Sequence, residues 1–336
     1  MKDITIIIIS RDRHESLFKS MKYWDDLGIA YLVVHHTSES IKFRPSNPRS
    51  KYVVSKTSFG ERCGVAKKFI QTKYAIICSD DEVFLPSTLA RMSDVLNRSP
   101  EIESVGGQTL GIGKYGPILT ATFAYKNMYN YSNLNDNSES RMKYHFNIND
   151  SYKQGSMYRL MRESTMIKML SAFSEISFIS TPYIYEITGE ILVNYLGKSR
   201  YLNEIFWVRN WINKPLSDSR WNRKLYFYIW FEEYKFKEEV LIWRSILESY
   251  MKNFNSNDFL TLIYNNRKAV EINEQKKKIR NSSSSIDYVK YFLKRILSKS
   301  RIPNSLKNVD SYLNDFSVRI NKLELISAIE TMTKKL

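Results

Sequence analysis

Cysteine is scarce: Cys63 and Cys78 are the only two in 336 residues. That excludes a disulfide-stapled scaffold and predicts free thiols in a reducing compartment. Glycine and proline are also few, 11 and 8, which excludes a collagen-like or linker composition. No apolar run approaches the ~18 residues of a membrane-crossing helix, so a multi-span membrane protein is excluded as well. The early run Ile6-Ile7-Ile8-Ile9 is too short for the apolar region of a signal peptide, has an acid before it, and is followed by Arg11 and Arg13. It reads as a buried first strand, and the expected location is the cytoplasm. Disorder is excluded by what is present: 43% of residues are hydrophobic and 14% aromatic. One large or two medium domains are expected at ~100–200 residues each. The formal net charge of +16 implies attraction to a polyanion: nucleic acid, anionic lipid or a phosphorylated substrate.

Residues 1–110 alternate strand and helix signals. Strands are predicted at 4–10, 30–34, 51–54, 74–78 and 102–106. Between them, residues 14–27 carry Leu17, Met21 and Trp24 at helical spacing, with Gly28 placed for a left-handed cap. Residues 61–71 form a second helix, and Pro86 opens a third at its favoured first position. This alternation predicts a mostly parallel sheet with helices on both faces. Residues 111–160 are polar with weak periodicity, and 127–140 read as loop. Helices follow at 162–173 and 185–196, then a strand at 201–208. Residues 215–219 mark a boundary. Beyond it the pattern is helical, over 226–254, 258–279, 286–297 and 306–335, with a short serine-rich linker at 281–285.

Asp80, Asp81 and Glu82 are consecutive, directly after the predicted strand 74–78. Ligands of open parallel sheets bind at the carboxyl ends of strands. Three like charges packed there call for a cation, and hard carboxylate oxygens suit Mg²⁺ or Mn²⁺. The competing reading is a solvated acidic loop that caps the next helix. His14, His35, His36 and His145 show no spacing typical of zinc.

The strand end Ile9-Ser10-Arg11-Asp12-Arg13, the segment 72–84 and the helix ended by Gly197 together resemble a family-2-type GT-A glycosyltransferase, closest to bacterial members with a C-terminal helical extension. The resemblance covers about residues 3–210. It implies a three-layer GT-A-like α/β domain over 1–216, followed by a basic helical extension over 217–336. It further implies an inverting, metal-dependent transfer from a nucleotide-sugar to a glycan or glycolipid hydroxyl, in cell-surface polysaccharide or glycolipid assembly. By the same resemblance, Asp80, Asp81 and Glu82 match the metal-binding Asp-x-Asp motif, with Glu in place of the last Asp. Ser10, Asp12, Arg13, Arg62, Asp80 and Arg209 match donor-binding positions, and Gly60-Glu61-Arg62 the turn before a helix. His35-His36-Thr37-Ser38 stands where the family usually has an Asp near the nucleotide. Glu186 and Glu190, one helical turn apart on the same face, are the candidates for the base that deprotonates the acceptor. Their competing reading is ordinary surface glutamates. Arg159, Arg162 and Glu163 read either as acceptor-side residues or as a solvated helix start.

Residues 261–301 hold eleven Lys and Arg against three acids, a local +8 that is half the chain's excess. Ile286, Val289, Phe292, Leu293, Ile296 and Leu297 form an apolar stripe there. A basic amphipathic helix at 286–301 fits an anionic membrane surface, which would place the protein at the inner face of the plasma membrane. The alternative is a helix packed on the catalytic domain. No nucleic-acid reader module is recognisable. A rival reading of the whole chain is a non-catalytic binding protein for anionic membrane or nucleic acid on a degenerate transferase fold.

Overall fold

The computed structural model describes residues 1–39, 44–115, 118–124, 131–147, 155–211, 225–252, 256–282, 300–301 and 321–333. Its centre is a mixed sheet, with strands β1 (Ile4–Arg11), β2 (Tyr31–His36), β3 (Lys51–Val54) and β4 (Tyr74–Cys78) parallel to one another. On the far side of β4 lies the antiparallel β8 (Leu160–Arg162), then the long β6 (Ile102–Tyr115). Strand β6 pairs with the antiparallel β7 (Ile118–Ala124) and the parallel β9 (Lys198–Asn210). Two short strands complete the sheet: β5 (Val83–Phe84) against β9, and β10 (Ser300–Arg301) against β7.

Alternation along the central strands explains why both faces are covered. Ile4, Ile6 and Ile8 of β1, Tyr31 and Val33 of β2, and Tyr74, Ile76 and Cys78 of β4 enter one core. Ile7, Leu32, Val34, Ala75 and Ile77 enter the other. Each fully buried isoleucine contributes roughly 1.5–3 kcal/mol, so neither face can be left to water. The first core is closed by α1 (His14–Asp26) and α3 (Pro86–Arg98). The second is closed by α2 (Phe59–Ala66), α4 (Ser138–His145), α5 (Glu163–Glu175) and α6 (Ile184–Leu196). The three-layer α/β class expected from the sequence is the one observed.

The later helices join these same cores. Phe227 and Trp230 of α7 (Phe227–Glu232), Trp243 and Leu247 of α8 (Lys237–Tyr250), and Leu260 and Ile263 of α9 (Ser256–Ser282) pack into the second core with α5 and α6. Trp243 Nε1 donates to Thr188 Oγ1 at 2.9 Å. Helix α10 (Lys322–Thr333) packs Leu325, Ala328, Ile329 and Met332 into the first core. Among the described residues no helix is long and apolar enough to cross a membrane.

Gly28 takes φ +64°, as its capping position requires. Several local expectations are corrected. Helix α2 starts at Phe59, with Ser58 and Glu61 forming a capping box. Gly60 is therefore inside the helix and not in a turn before it; a Cβ there would lie 2.2 Å from the Phe173 carbonyl oxygen. Residues 111–115 continue β6 and 118–124 form β7, its antiparallel neighbour, and α4 begins at Ser138 inside the expected loop. The expected helix 226–254 is α7, a 3-10 turn at Tyr234–Phe236, and α8. In the basic stretch, Arg267 is buried and paired with buried Glu271 at 2.7 Å, and Lys268 is paired with Glu232 at 2.6 Å. Their charge is met within the fold. The expected boundary at 215–219 and the basic helix at 286–297 lie outside the described residues.

Candidate active site

Strands β1, β2, β3, β4, β6 and β9 all run in one direction, so their carboxyl ends share an edge. At the end of β4 the chain turns back through Asp80, Asp81 and Glu82 into β5. The Cys78 thiol donates to the Glu82 carbonyl at 3.1 Å and holds this turn. Burial pushes that thiol well above its ordinary pKa, with the nearby acids adding to the shift, so it stays protonated.

Asp80 and Glu82 are buried and Asp81 is partly exposed, and each is met by specific donors. Ser10, the last buried residue of β1, donates to Asp80 Oδ2 at 2.7 Å. Arg13 Nη1 lies 2.9 Å from Asp80 Oδ1, and its Nη2 binds Asp81 Oδ2. The backbone makes this possible. Asp12 takes φ +50°, a left-handed conformation that Asp tolerates. Arg13, at the N-cap of α1, then sends its guanidinium back onto the acids. The Asp12 side chain is exposed and lies 3.6 Å from Arg11, away from the acids; its part in the site is the bend. Glu82 is served from β9. The β5–β9 register pairs Val83 with Val208 and Phe84 with Trp207, which sets the strand's next outward residues against Glu82. Trp207 Nε1 donates to Oε2 at 2.8 Å and Arg209 Nε to Oε1 at 2.8 Å. The Arg209 guanidinium also lies 4.7 Å from the Trp207 ring centroid.

Electrostatics follow from this packing. Burial pushes the Asp80 carboxyl up to about 6, against the opposing pull of Arg13. Burial likewise raises Glu82, with Arg209 pulling it down. Burial opposes the charge on Arg13, but Asp80 and Asp81 outweigh it and hold the guanidinium protonated.

Among the described residues, no group of three or more His, Cys, Asp or Glu is arranged to hold a metal ion. The three acids are met differently. Both Glu82 oxygens are taken by Trp207 and Arg209, whereas Asp80 and Asp81 converge on one cation, Arg13. Two converging carboxylates suit Mg²⁺, which usually completes its octahedron with water and substrate phosphates.

Other expected site residues are placed differently. Arg62 is 4% exposed and binds the Thr57 carbonyl with Nη1, so it braces the turn into α2 and offers no open fork to a ligand. At the end of β2, His35 is buried, with Nδ1 2.6 Å from Tyr52 Oη and its ring against His14. Burial, with His14 adding to it, lowers its pKa to about 4, so this ring is neutral at pH 7. Arg162 Nε and Nη2 donate to the carbonyls of Ile102, Leu96 and Ser99 at 2.8–3.0 Å. These lie at the start of β6 and the end of α3, the opposite edge of the sheet.

The two candidate bases separate. Helix α6 leads through Gly197 into β9, so its first turn lies at the carboxyl edge. Glu186 is half-buried on that turn. Glu190, one turn deeper, is 1% exposed. Its Oε1 accepts from the backbone N–H of Gly155 and Ser156 at 2.7 and 2.8 Å. Its Oε2 lies 2.8 Å from His145 Nε2, close but not aligned as a hydrogen bond. Burial pushes Glu190 up, but His145, Arg159 and the Ser156 side chain overcome it, and the carboxyl sits below its ordinary range. Such a group is sealed from an acceptor. It holds the turn at 155–158, whose Tyr158 stacks on Trp207 with centroids 4.4 Å apart. Arg159 is buried on this network, 5.6 Å from the Tyr131 ring centroid, and not at a solvated helix start. Sequence reasoning missed Trp207 and His145. Trp207 was findable, since strand alternation puts it on the same face as Arg209; nothing local marks His145.

Neither a protein-family model nor a curated protein sequence matches the chain. Solved structures similar in shape include two of one protein. The crystal structure of S. aureus TarS has 12% identity and TM-score 0.47, with 80% of this chain and 50% of that one covered. The crystal structure of S. aureus TarS 1-349 has 11% identity and TM-score 0.43, with 82% and 92% covered. The chain thus spans half the length of the first. At these scores neither likeness bears on chemistry.

Proposed function

We propose that the chain is a glycosyltransferase that moves a sugar from a nucleotide-sugar to an acceptor hydroxyl, with inversion at the anomeric carbon. The observation that carries this reading is the arginine–carboxylate cluster at the carboxyl edge of the central strand: Arg13 on Asp80 and Asp81, Arg209 on Glu82. Buried carboxylates pre-position two guanidinium forks at the edge where open sheets take ligands. Such forks match phosphate oxygens. Arg13 and Arg209 bind the donor's diphosphate and stabilise charge as it departs. Asp80 and Asp81 are the residues that would hold Mg²⁺ or Mn²⁺, which when bound neutralises further charge on the leaving nucleoside diphosphate. Glu186 takes the acceptor hydroxyl's proton as that oxygen bonds to the anomeric carbon and the bond to the diphosphate breaks. The acceptor belongs to a cell-surface polysaccharide or glycolipid, and the basic stretch 286–301 is the part that would meet an anionic membrane.

Calorimetric titration with uridine, guanosine and cytidine diphosphates, with and without Mn²⁺, tests the reading. Binding of at least one is expected, weakened by Arg13→Ala and, in its Mn²⁺-dependent part, by Asp81→Ala. No binding of any diphosphate sinks it. Binding with no sugar transfer from any conjugate would favour the non-catalytic reading.

A further inference from the structure

Helix α3 starts without a capping side chain: its N-cap is Leu85 and its first residue Pro86. The missing acceptor comes from the C-terminal helix. Both carboxylate oxygens of Glu324 accept from the Ser87 N–H, at 3.1 and 3.0 Å, and Oε2 accepts from Ser87 Oγ at 2.8 Å. A carboxylate at a helix N-terminus is stabilising both as acceptor and as a charge facing the dipole. This clamp and the buried Leu325, Ala328 and Ile329 fix α10 along α1.

The far end of α10 reaches the candidate active site. Thr331 and Met332 line a cleft whose other walls include Asp81, Asn210 at the end of β9, and Ser16 and Ser20 of α1. Ser20 is 2% exposed, and its Oγ makes no hydrogen bond. A buried hydroxyl left unpaired costs ~1–3 kcal/mol, which a ligand hydroxyl would relieve. The lining is hydroxyl, amide and carboxylate, with Val83 and Met332 as apolar contacts. Among the described lining residues the cation is Lys19, held 2.7 Å from Glu15. Phosphate finds little to bind there, whereas a polyhydroxylated ring finds donors, acceptors and an apolar contact.

We propose that this cleft is a subsite for a single sugar ring, and that the last turn of α10, through Thr331 and Met332, determines which ring fits. The inference rests on the transferase reading. Two sources carry the chemistry, the donor's sugar and the terminal residue of the acceptor glycan, and the experiment separates them.

In the full chain, Thr331→Trp fills the cleft from α10 and Ser16→Trp from α1. Neither residue contributes to the arginine–carboxylate cluster, and thermal melting near the wild-type temperature verifies each fold. If the ring is the donor's, both variants bind the parent nucleoside diphosphate as wild type does, but the matching sugar conjugate about tenfold or more weakly than wild type does. If it is the acceptor's, conjugate binding is unchanged and binding to a printed glycan array is lost. Unchanged conjugate and array binding in both variants overturns the proposal. Absence of diphosphate binding by the wild type would instead refute the transferase reading. The array arm then still decides the cleft: glycan binding lost in both variants supports it, and no such loss overturns it.

Discussion

Glu190 is the residue at which the structure makes its most demanding prediction, because a surface reading and a buried reading of this carboxylate differ by several kcal/mol. Glu190→Ala strands the N–H groups of Gly155 and Ser156, each costing about 1–3 kcal/mol when buried and unpaired. It also leaves His145 and Arg159 without the carboxylate that faces them; breaking a buried ion pair costs about 3–5 kcal/mol. The contributions share one residue and do not simply add, so a loss of about 4–6 kcal/mol is expected. That is a large share of the ~5–15 kcal/mol that holds a folded domain together. Glu190→Gln keeps an amide oxygen for the two N–H groups and loses only the charge, so about 1–3 kcal/mol is expected. Urea unfolding at pH 7, followed by tryptophan fluorescence, is the assay, since the turn that Glu190 holds stacks Tyr158 on Trp207. A Glu190→Ala midpoint equal to wild type would refute the buried network. Wild-type stability and diphosphate affinity in Glu190→Gln, with turnover abolished, would make Glu190 the base and displace Glu186.

Three further outcomes are expected. Glu186→Gln should lower kcat by about 10²–10⁴-fold, the range of a lost general base, with diphosphate affinity unchanged; full turnover would remove Glu186 from the chemistry. Trp243→Ala should cost about 3–5 kcal/mol, since the ring is fully buried between α8 and α6; a melting temperature equal to wild type would show that α8 adds nothing to the core. His35 has a folded pKa lowered from 6.5 to about 4, so the native state binds fewer protons there than the unfolded chain. Its contribution is present above pH 6.5 and lost as pH falls towards 4. Urea midpoints over this range should therefore fall less steeply in His35→Asn, and parallel profiles would contradict the assignment.

Much of the frame was legible in the sequence. Four consecutive isoleucines and the uniformly apolar 74–78 could only be central strands, and Leu17, Met21 and Trp24 could only be one helix face. Local periodicity reports which side of an element is buried, and that is a local property. The acids after β4 were legible for the same reason, because a strand end at the ligand edge is a position in the chain.

What met those acids was decided by topology alone. Arg13 is 68 residues from Asp81 and Arg209 is 127 from Glu82; no periodicity encodes such pairs. Charge counting asked for a cation beside three carboxylates, and the fold sets two guanidiniums there, Arg13 on Asp80 and Asp81 and Arg209 on Glu82. Helical spacing puts Glu186 and Glu190 on one face, yet only the packing of His145 and the turn 155–158 over α6 seals one of them. Of β6 only 102–106 read as strand, because Gly106, Gly107, Gly111 and Gly113 leave no alternation to see further along. Helix α10 was predicted as a helix from its own residues, but its seat at the α3 cap depends on Ser87, 237 residues from Glu324. Burial and hydrogen bonding between distant segments exist only once the chain has closed, and at this site they decide which charges face a ligand.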